Sequence, residues 1–417
     1  MSYSFGHTKQ KFIFLLGITA IYAALLAWLN FLQGPFWADE SAFWSTSLTF
    51  SDRLIPTIES LRDYNELNTP LPFIIFGILE YLFGQGIWVG RLFNLILSIG
   101  IVFIIGWPGR RGYKCRMLCA VGLLLCPYYL LLSGRLYTEM IACTFGILGF
   151  ASYVRNRHLL SSVAFILAIA SRQYMLAFPV AIAAYEIVAS FTAALYPKQC
   201  DPPQTLTAQR DAQQKVQRKF RWRFQWRLMA PALAALSILG WFLLFNGLAP
   251  QTAIAIRNTP AVQKTIWAVE PGVAVNFLAI IGAYIVIPEF FLFQPLMKLK
   301  SIKLNWRRIV LTALGCFLLF LIFPPVPSVL GPLSKLSSIL PTAGLKIGML
   351  YVLALLTCIR FYKPNLMTFI IFFNSLMMVK AFPWDKYVLS VAVIFWYLKS
   401  IDFEEKYLSL FGTRKSA

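Results

Sequence analysis

Two adjacent carboxylates, Asp39 and Glu40, stand in the segment GPFWADESAFWSTS (34–47), directly after an apolar run long enough to cross a bilayer. Bulky aromatic residues flank the pair, among them Trp37 and Trp44. A carboxylate in a partly desolvated pocket can act as a general base towards a nearby hydroxyl group, and aromatic rings can pack against a sugar ring. A solvated acid pair in an outer loop is the plainer interpretation. The position beside the membrane favours a functional pair, with Asp39 as the base and Glu40 as the second candidate.

A further acid and an arginine could complete such a site. Glu139, in SGRLYTEM (133–140), lies just inside an apolar run, and acids within membrane segments are often functional. The alternatives are an ion pair with Arg135, four residues earlier, or a carboxylate favoured at a helix N-terminus. Arg172 interrupts two consecutive apolar runs. Its planar fork suits phosphate oxygens, so we expect a phosphate ligand there.

The last polar segment between apolar runs, VKAFPWDKYVL (379–389), carries Lys380 and Lys386 beside aromatic residues. Long basic side chains at a membrane surface commonly extend their charge towards water. The alternative is that these two lysines bind an anionic lipid head group. The sequence leaves both interpretations open.

The elements that position these residues follow from composition. Apolar residues make up 59% of the 417 residues, charged residues only 13%, and mean hydropathy is +0.67. Soluble domains carry about 25% charged residues. The sequence therefore predicts an all-α, polytopic membrane bundle of about twelve transmembrane helices. The apolar runs are 12–32, 87–106, 117–133, 138–154, 159–175, 176–196, 228–247, 272–297, 309–323, 345–362, 364–380 and 386–401.

The basic residues predict the orientation of the chain. Run 70–84 is short, begins with two prolines and contains Glu80. If it does not cross, most Lys and Arg residues fall on one side, which the positive-inside rule makes cytoplasmic. Both termini are then cytoplasmic, and 33–86 is a long acidic outer loop with interfacial helices. The net charge of +21 is thereby assigned to cytoplasmic loops and lipid contacts, and not to nucleic acid.

This orientation divides the chain into a module at 1–196, a basic cytoplasmic linker at 197–227 and a C-terminal transmembrane module at 228–417. The seven cysteines form no CxxC pair, and neither histidine lies in an expected outer loop. No metal ligands are therefore assigned. The outer carboxylates could still hold a divalent cation.

The motifs, in this order, resemble those of GT-C glycosyltransferases, and most of all the endoplasmic-reticulum α-1,2-glucosyltransferase family that uses dolichyl-phosphate-glucose. The similarity is best over roughly 1–190. The chain departs from the family at Tyr174 and Met175, where the family has Thr-Asn, and at Lys386, which replaces an arginine and lacks its fork. The matching positions are Asp39-Glu40, Asn68-Thr69-Pro70-Leu71-Pro72, Leu136-Tyr137-Thr138-Glu139, Arg172-Gln173-Tyr174-Met175 and Lys386-Tyr387.

The resemblance implies inverting transfer of a hexose from a polyprenyl-phosphate sugar to a glycan or lipid-linked acceptor. The reaction would occur at the non-cytoplasmic face of a bacterial plasma membrane or an ER-like membrane. The implied roles are as follows: Asp39, Glu40 and Glu139 catalytic; Arg172, Lys386 and Lys380 on the donor phosphate; Trp37, Trp44, Asp63, Arg135, Gln173 and Tyr137 on the substrates.

Two rival classes remain. A lipid or sugar transporter or flippase would have paired repeats and unwound segments at mid-membrane depth, and the sequence has no evident internal repeat. A ligase or acyltransferase would usually need an outer His or Ser nucleophile or base.

Overall fold

The computed structural model describes residues 2–108, 112–195, 208–257, 261–265, 267–293, 306–326 and 330–403. Within these ranges the chain is helical and contains no β-strand, apart from one isolated bridge between Leu330 and Trp384. The predicted all-α class is confirmed for this part of the chain.

The helices before residue 200 include three that lie within the predicted outer loop 33–86. A 3-10 turn, Gln173–Leu176, precedes the last of them. They are α1 (Ser2–Trp28), α2 (Glu40–Leu48), α3 (Ile58–Arg62), α4 (Leu71–Phe83), α5 (Ile87–Gly106), α6 (Tyr113–Leu124), α7 (Pro127–Ser133), α8 (Glu139–Val154), α9 (His158–Ser171) and α10 (Ala177–Leu195).

The longest of the later helices, α11, has 38 residues. A short π-helical segment, Gly282–Val286, lies between α14 and α15. A 3-10 turn, Met378–Lys380, follows α19, and another, Asp385–Tyr387, leads into α20. They are α11 (Ala208–Phe245), α12 (Gln251–Ile256), α13 (Ala261–Lys264), α14 (Pro271–Ile281), α15 (Ile287–Phe293), α16 (Trp306–Ile322), α17 (Pro332–Ser338), α18 (Ala343–Arg360), α19 (Leu366–Met377) and α20 (Val388–Ser400).

Among the described residues, six helical segments are long and apolar enough to cross a membrane, and a bent pair, α6 with α7, brings the total to seven. The protein is therefore a multi-pass helical membrane bundle. Helices α4, α8, α9 and the α19 segment are apolar but shorter. The predicted count of twelve is not confirmed and stays a prediction.

Each predicted apolar run contains helix, but the run at 117–133 is broken. Its two halves, α6 and α7, meet at an angle of 74°. The break precedes Pro127, which cannot donate a backbone hydrogen bond and pushes the preceding residue out of the helical region. Cys126 is accordingly extended, with ψ of 112°.

The two regions outside the twelve runs are also partly helical. The 13 residues of α4 occupy the ambiguous run 70–84 and span about 20 Å, less than the roughly 30 Å of a bilayer core. In the predicted linker 197–227, α11 begins at Ala208 and continues into a membrane-length segment. Residues 196–207 lie outside the described ranges.

Helix α20 lies at the centre of the bundle and packs against α5, α6 and α8 as well as α14 and α19. Almost every side chain from Val388 to Leu398 is buried, so this helix is apolar on all faces, as a central helix must be. Trp396 packs against Gly122 of α6 so closely that a methyl group there would overlap the indole ring. A helix of the predicted C-terminal module thus forms the core of the N-terminal one.

Ion pairs join helices at the end of the bundle opposite the acidic loop. Glu186 on α10 lies 2.9 Å from Arg227 on α11. Glu289 on α15 accepts two hydrogen bonds from Arg360 on α18, each 2.7 Å, and one from Lys399 on α20. Because breaking a buried ion pair is costly, these contacts fix the mutual positions of the helices.

Candidate functional site

The chain between α1 and α2 turns sharply. Asn30, Phe31 and Leu32 all have positive φ, and so does Ala38, at 49°. Helix α2 then begins at Glu40, so the two acids occupy its N-terminus, where negative charge is favoured. The turn separates the two adjacent side chains, and they meet different partners.

Glu40 is completely buried and is held as a structural anchor. Its oxygens accept hydrogen bonds from Nε and Nη2 of Arg91 at 2.7 and 2.8 Å, and from the Leu136 backbone N–H at 2.8 Å. Arg135 lies 3.7 Å away, so the predicted Arg135–Glu139 pair is replaced by one with Glu40. Glu40 is therefore inaccessible to an acceptor hydroxyl, and this corrects its assignment as the second base.

Arg91 was missed by the sequence analysis. Its side chain is 4% exposed, and Nη1 also donates to the carbonyls of Leu32 and Gly34, each at 2.7 Å. The signal was present: Arg91 is a lone charge in the apolar run 87–106, and a charge there requires a partner.

Asp39, by contrast, is partly exposed and joins three other charged groups. We call these four residues, Asp39, Glu139, Arg172 and Lys386, the charged cluster. The Asp39 side chain is 39% exposed, and its Oδ2 lies 3.0 Å from Lys386 Nζ. The same Nζ lies 3.9 Å from Glu139 Oε1, which also contacts Arg172 Nη2. The structure thus brings together four residues that are widely separated in the sequence.

Burial makes the pairing within the charged cluster strong. The side chains of Lys386 and Arg172 are 3% and 4% exposed, and Glu139 is fully buried. The carboxylates of Glu139 and Asp39 together offset the cost of burying the Lys386 ammonium. Since buried charges are stable only when paired, each group fixes the position of its neighbour.

Arg172 enters the cluster from the sharp turn between α9 and α10. It is extended, with φ of −155° and ψ of 124°, and so ends α9. Its Nη1 donates to Asn68 Oδ1, while Nε is buried without a hydrogen-bond partner. The Tyr174 ring lies 5.5 Å from the guanidinium and 5.5 Å from the Tyr387 ring.

Aromatic rings line the cluster. Lys386 Nζ lies 3.6 Å from the Trp384 ring centroid and 5.2 Å from that of Tyr137. Trp37 packs against Tyr137, with the ring centroids 5.8 Å apart, and Arg135 covers it at 5.1 Å. The predicted substrate residues Trp37, Tyr137 and Arg135 are therefore close to Asp39.

The loop 63–69 closes another side of the site. Glu66 in this loop is buried and contacts Arg257, and Gln173 Nε2 donates to the Leu67 carbonyl at 2.6 Å. Burial raises the pKa of Glu66 to about 7; the Asp39 carboxylate adds to the increase, and Arg257 and Arg172 oppose it. Sequence analysis did not single out Glu66 or Arg257, since neither lies in a recognisable motif.

Three of the predicted site residues contact groups outside the charged cluster. Asp63 is exposed and accepts a hydrogen bond from the Thr252 backbone at 3.1 Å. Lys380 donates to the Thr265 carbonyl at 2.8 Å and so joins the segment after α19 to residues 261–265. Trp44 is partly buried on α2 and packs against the apolar core. The contacts of Asp63 and Lys380 therefore connect one loop to another.

The described residues contain no group of three or more His, Cys, Asp and Glu side chains that could hold a metal ion. Asp39 and Glu139 each face a cation within the charged cluster. This donor set does not fit a divalent cation, which needs several unpaired oxygen ligands.

No family model matches this chain, and neither a curated protein nor a solved structure matches it. Fold and site therefore define only a class: a multi-pass helical membrane protein with a partly exposed carboxylate beside buried cations and aromatic rings.

Proposed function

We propose that this protein is a GT-C-like membrane glycosyltransferase that moves a hexose from a polyprenyl-phosphate sugar to a glycan or lipid-linked acceptor, with inversion. The observation that carries the proposal is the 3.0 Å contact between Asp39 and Lys386, next to the buried pair of Glu139 and Arg172. A half-exposed base and two cations within one cluster are what such a transfer requires.

The chemistry follows from these positions. Asp39 accepts the proton of the acceptor hydroxyl, whose oxygen forms the new bond to the anomeric carbon from the face opposite the phosphate. The bond from that carbon to the phosphate oxygen breaks, and a polyprenyl phosphate leaves with one additional negative charge. Arg172 and Lys386 stabilise the charge that develops on the departing phosphate. Glu139 keeps both cations aligned.

The aromatic rings near the charged cluster form a surface against which the sugar can pack. Trp37, Tyr137 and Trp384 surround the Asp39–Lys386 contact. Their apolar faces pack against a sugar ring.

The membrane arrangement is part of the proposal. Twelve crossings place both termini in the cytoplasm and the charged cluster at the non-cytoplasmic rim of a bacterial plasma membrane or an ER-like membrane. The positive-inside distribution supports this orientation. Helices such as α9, with 14 residues or about 21 Å, are short for a bilayer, so their crossing requires local thinning of the membrane.

The test is transfer by purified protein in vesicles. The protein is incubated with labelled polyprenyl-phosphate hexoses and a mixture of lipid-linked and polymeric acceptors, and consumption of the donor is measured. We expect wild type and the control Glu59→Gln, an exposed acid on α3, to consume donor equally. Asp39→Asn should lose transfer while remaining folded. Full activity in Asp39→Asn would remove Asp39 as the base.

A transporter or flippase is the second candidate, and one observation favours it. The 74° break between α6 and α7 and the π-helical segment after α14 interrupt two membrane-length segments, as in many transporters. The same vesicles distinguish the two classes, because a flippase moves labelled lipid across the bilayer without releasing its sugar.

A further inference from the structure

The loop 63–69 connects the charged cluster to the segment around α12. At one end, Arg172 and Gln173 donate to Asn68 and to the Leu67 carbonyl. At the other, Arg257 contacts Glu66 through Nη2 and donates from Nε to the Asn65 carbonyl at 3.3 Å. A third cation, after Arg172 and Lys386, is thus held beside the site by a short, well-anchored loop.

The Glu66–Arg257 pair is unequal in its burial. The Glu66 side chain is 7% exposed, while that of Arg257 is 30% exposed. Arg257 is therefore the partner of this pair that water or a ligand can reach more easily. Glu66 would be left buried, and it tolerates this only when protonated.

The charge balance of the site supplies a reason for a further cation. Arg172 and Lys386 are each paired with a carboxylate of the cluster. A phosphate group placed beside them would add negative charge next to Asp39 and Glu139. Arginine is well suited to offset it, because its fork donates two parallel hydrogen bonds to phosphate oxygens.

We propose that Arg257 is a third phosphate-binding cation of this site. Ionised Glu66 pairs with Arg257 and keeps it from the phosphate, whereas protonated Glu66 leaves Arg257 able to bind the substrate phosphate. The proposal rests on the glycosyltransferase function proposed above. It adds a residue that touches the lipid phosphate and a pH dependence of donor binding.

The direction of the pH effect follows from the groups that face Glu66. These are Arg257, Asp39, Arg172 and Tyr64. With a pKa raised to about 7, Glu66 is mostly ionised at pH 8 and mostly neutral at pH 6. Neutral Glu66 no longer attracts Arg257, so the site gains one positive charge, and phosphate binding strengthens as the pH falls.

The experiment measures binding of a sugar-free probe, a polyprenyl methyl phosphodiester, to the full chain in phosphatidylcholine nanodiscs. A phosphodiester keeps a single negative charge from pH 5.5 to 8.5, so the ligand does not titrate. Wild type should bind about tenfold more tightly at pH 6 than at pH 8, the size expected of one charge-assisted hydrogen bond.

The variants separate the two roles. Glu66→Gln should bind tightly at both pH values, and Arg257→Gln weakly at both. Arg257→Lys, which keeps the charge but loses the fork, should fall between them. Two exposed residues of α3 provide the controls: Glu59→Gln and Arg62→Gln should retain the affinity and pH dependence of wild type.

A wild-type pH dependence in Glu66→Gln, or wild-type affinity in Arg257→Gln, would overturn the proposal. Should Arg257→Gln not fold, Arg257→Lys carries the comparison, because an unchanged affinity in that variant also contradicts a bidentate contact. The probe has no sugar to transfer. Absence of transfer with pH-dependent binding intact would therefore remove the glycosyltransferase function and leave the Glu66–Arg257 site standing.

Discussion

The two neighbouring acids, Asp39 and Glu40, should respond in opposite ways to loss of charge. Asp39→Asn should abolish transfer and leave the fold nearly as stable as wild type. Glu40→Gln should destabilise the protein strongly. The reason is that only Asp39 faces the open site, whereas Glu40 is enclosed by Arg91 and the backbone of Leu136.

The magnitudes follow from burial. Asp39 is 39% exposed, and the buried Lys386 keeps a second carboxylate, Glu139, at 3.9 Å. Loss of the Asp39 charge therefore leaves no unpaired buried charge and should cost about 1 kcal/mol or less. The Glu40–Arg91 pair is 0% and 4% exposed and bidentate, and removing one partner of a buried pair costs about 3–5 kcal/mol. The amide of glutamine would also direct a donor at the guanidinium. The two variants should differ by roughly 2–4 kcal/mol.

Buried thiols provide the assay. Cys119, Cys126 and Cys143 are at most 1% exposed, so a thiol-reactive fluorescent maleimide reports their exposure on heating. We expect the Glu40→Gln midpoint to lie well below those of wild type and Asp39→Asn. The double variant Glu40→Gln with Arg91→Gln should recover part of the loss, because the buried Arg91 guanidinium is no longer left without its carboxylate. A wild-type midpoint in Glu40→Gln, or additive losses in the double variant, would refute this account of the pair.

Three further changes have defined outcomes in the same thermal assay. Gly122→Ala should lower the midpoint, because a methyl group meets the Trp396 ring in the bundle centre, and overpacking costs about 1–3 kcal/mol. Ala38→Gly should raise it slightly, since φ of 49° suits glycine and strains alanine by about 1 kcal/mol; a lower midpoint would contradict this strain. Burial raises the pKa of Asp385 to about 6, so the folded state binds its proton more tightly than the unfolded state does. The resulting stability is complete below the ordinary Asp pKa and is lost as the pH rises through 6. Asp385→Asn should therefore match wild type below about pH 4 and melt higher than wild type at pH 8. A midpoint equal to that of wild type at pH 8 would argue against this account.

The sequence predicted the helices well, because apolar runs of membrane length have few alternatives to helix. The run 87–106 and the helix Ile87–Gly106 coincide. The break at Pro127 was missed, since the surrounding residues are uniformly apolar and hydropathy does not register a bend.

The candidate site was predicted in part. Asp39, Glu139, Arg172 and Lys386 were each singled out from their positions at the ends of apolar runs, and the structure groups them. Glu40 was assigned to the wrong environment, because adjacent residues in a sequence give no indication of which one turns inward. That decision depends on the backbone turn at Ala38.

Chain composition and charge pattern alone determined that this is a helical membrane protein and marked the polar residues that a membrane would not tolerate without partners. Only the tertiary structure determined which residues pair with those polar side chains. Helix α20 is buried on all sides from Val388 to Leu398 and therefore has no preferred face. Its packing in the bundle centre brings Lys386, near the end of the chain, to Asp39. Ion pairs across 347 residues cannot be read from spacing, because local pattern carries no information about distant contacts.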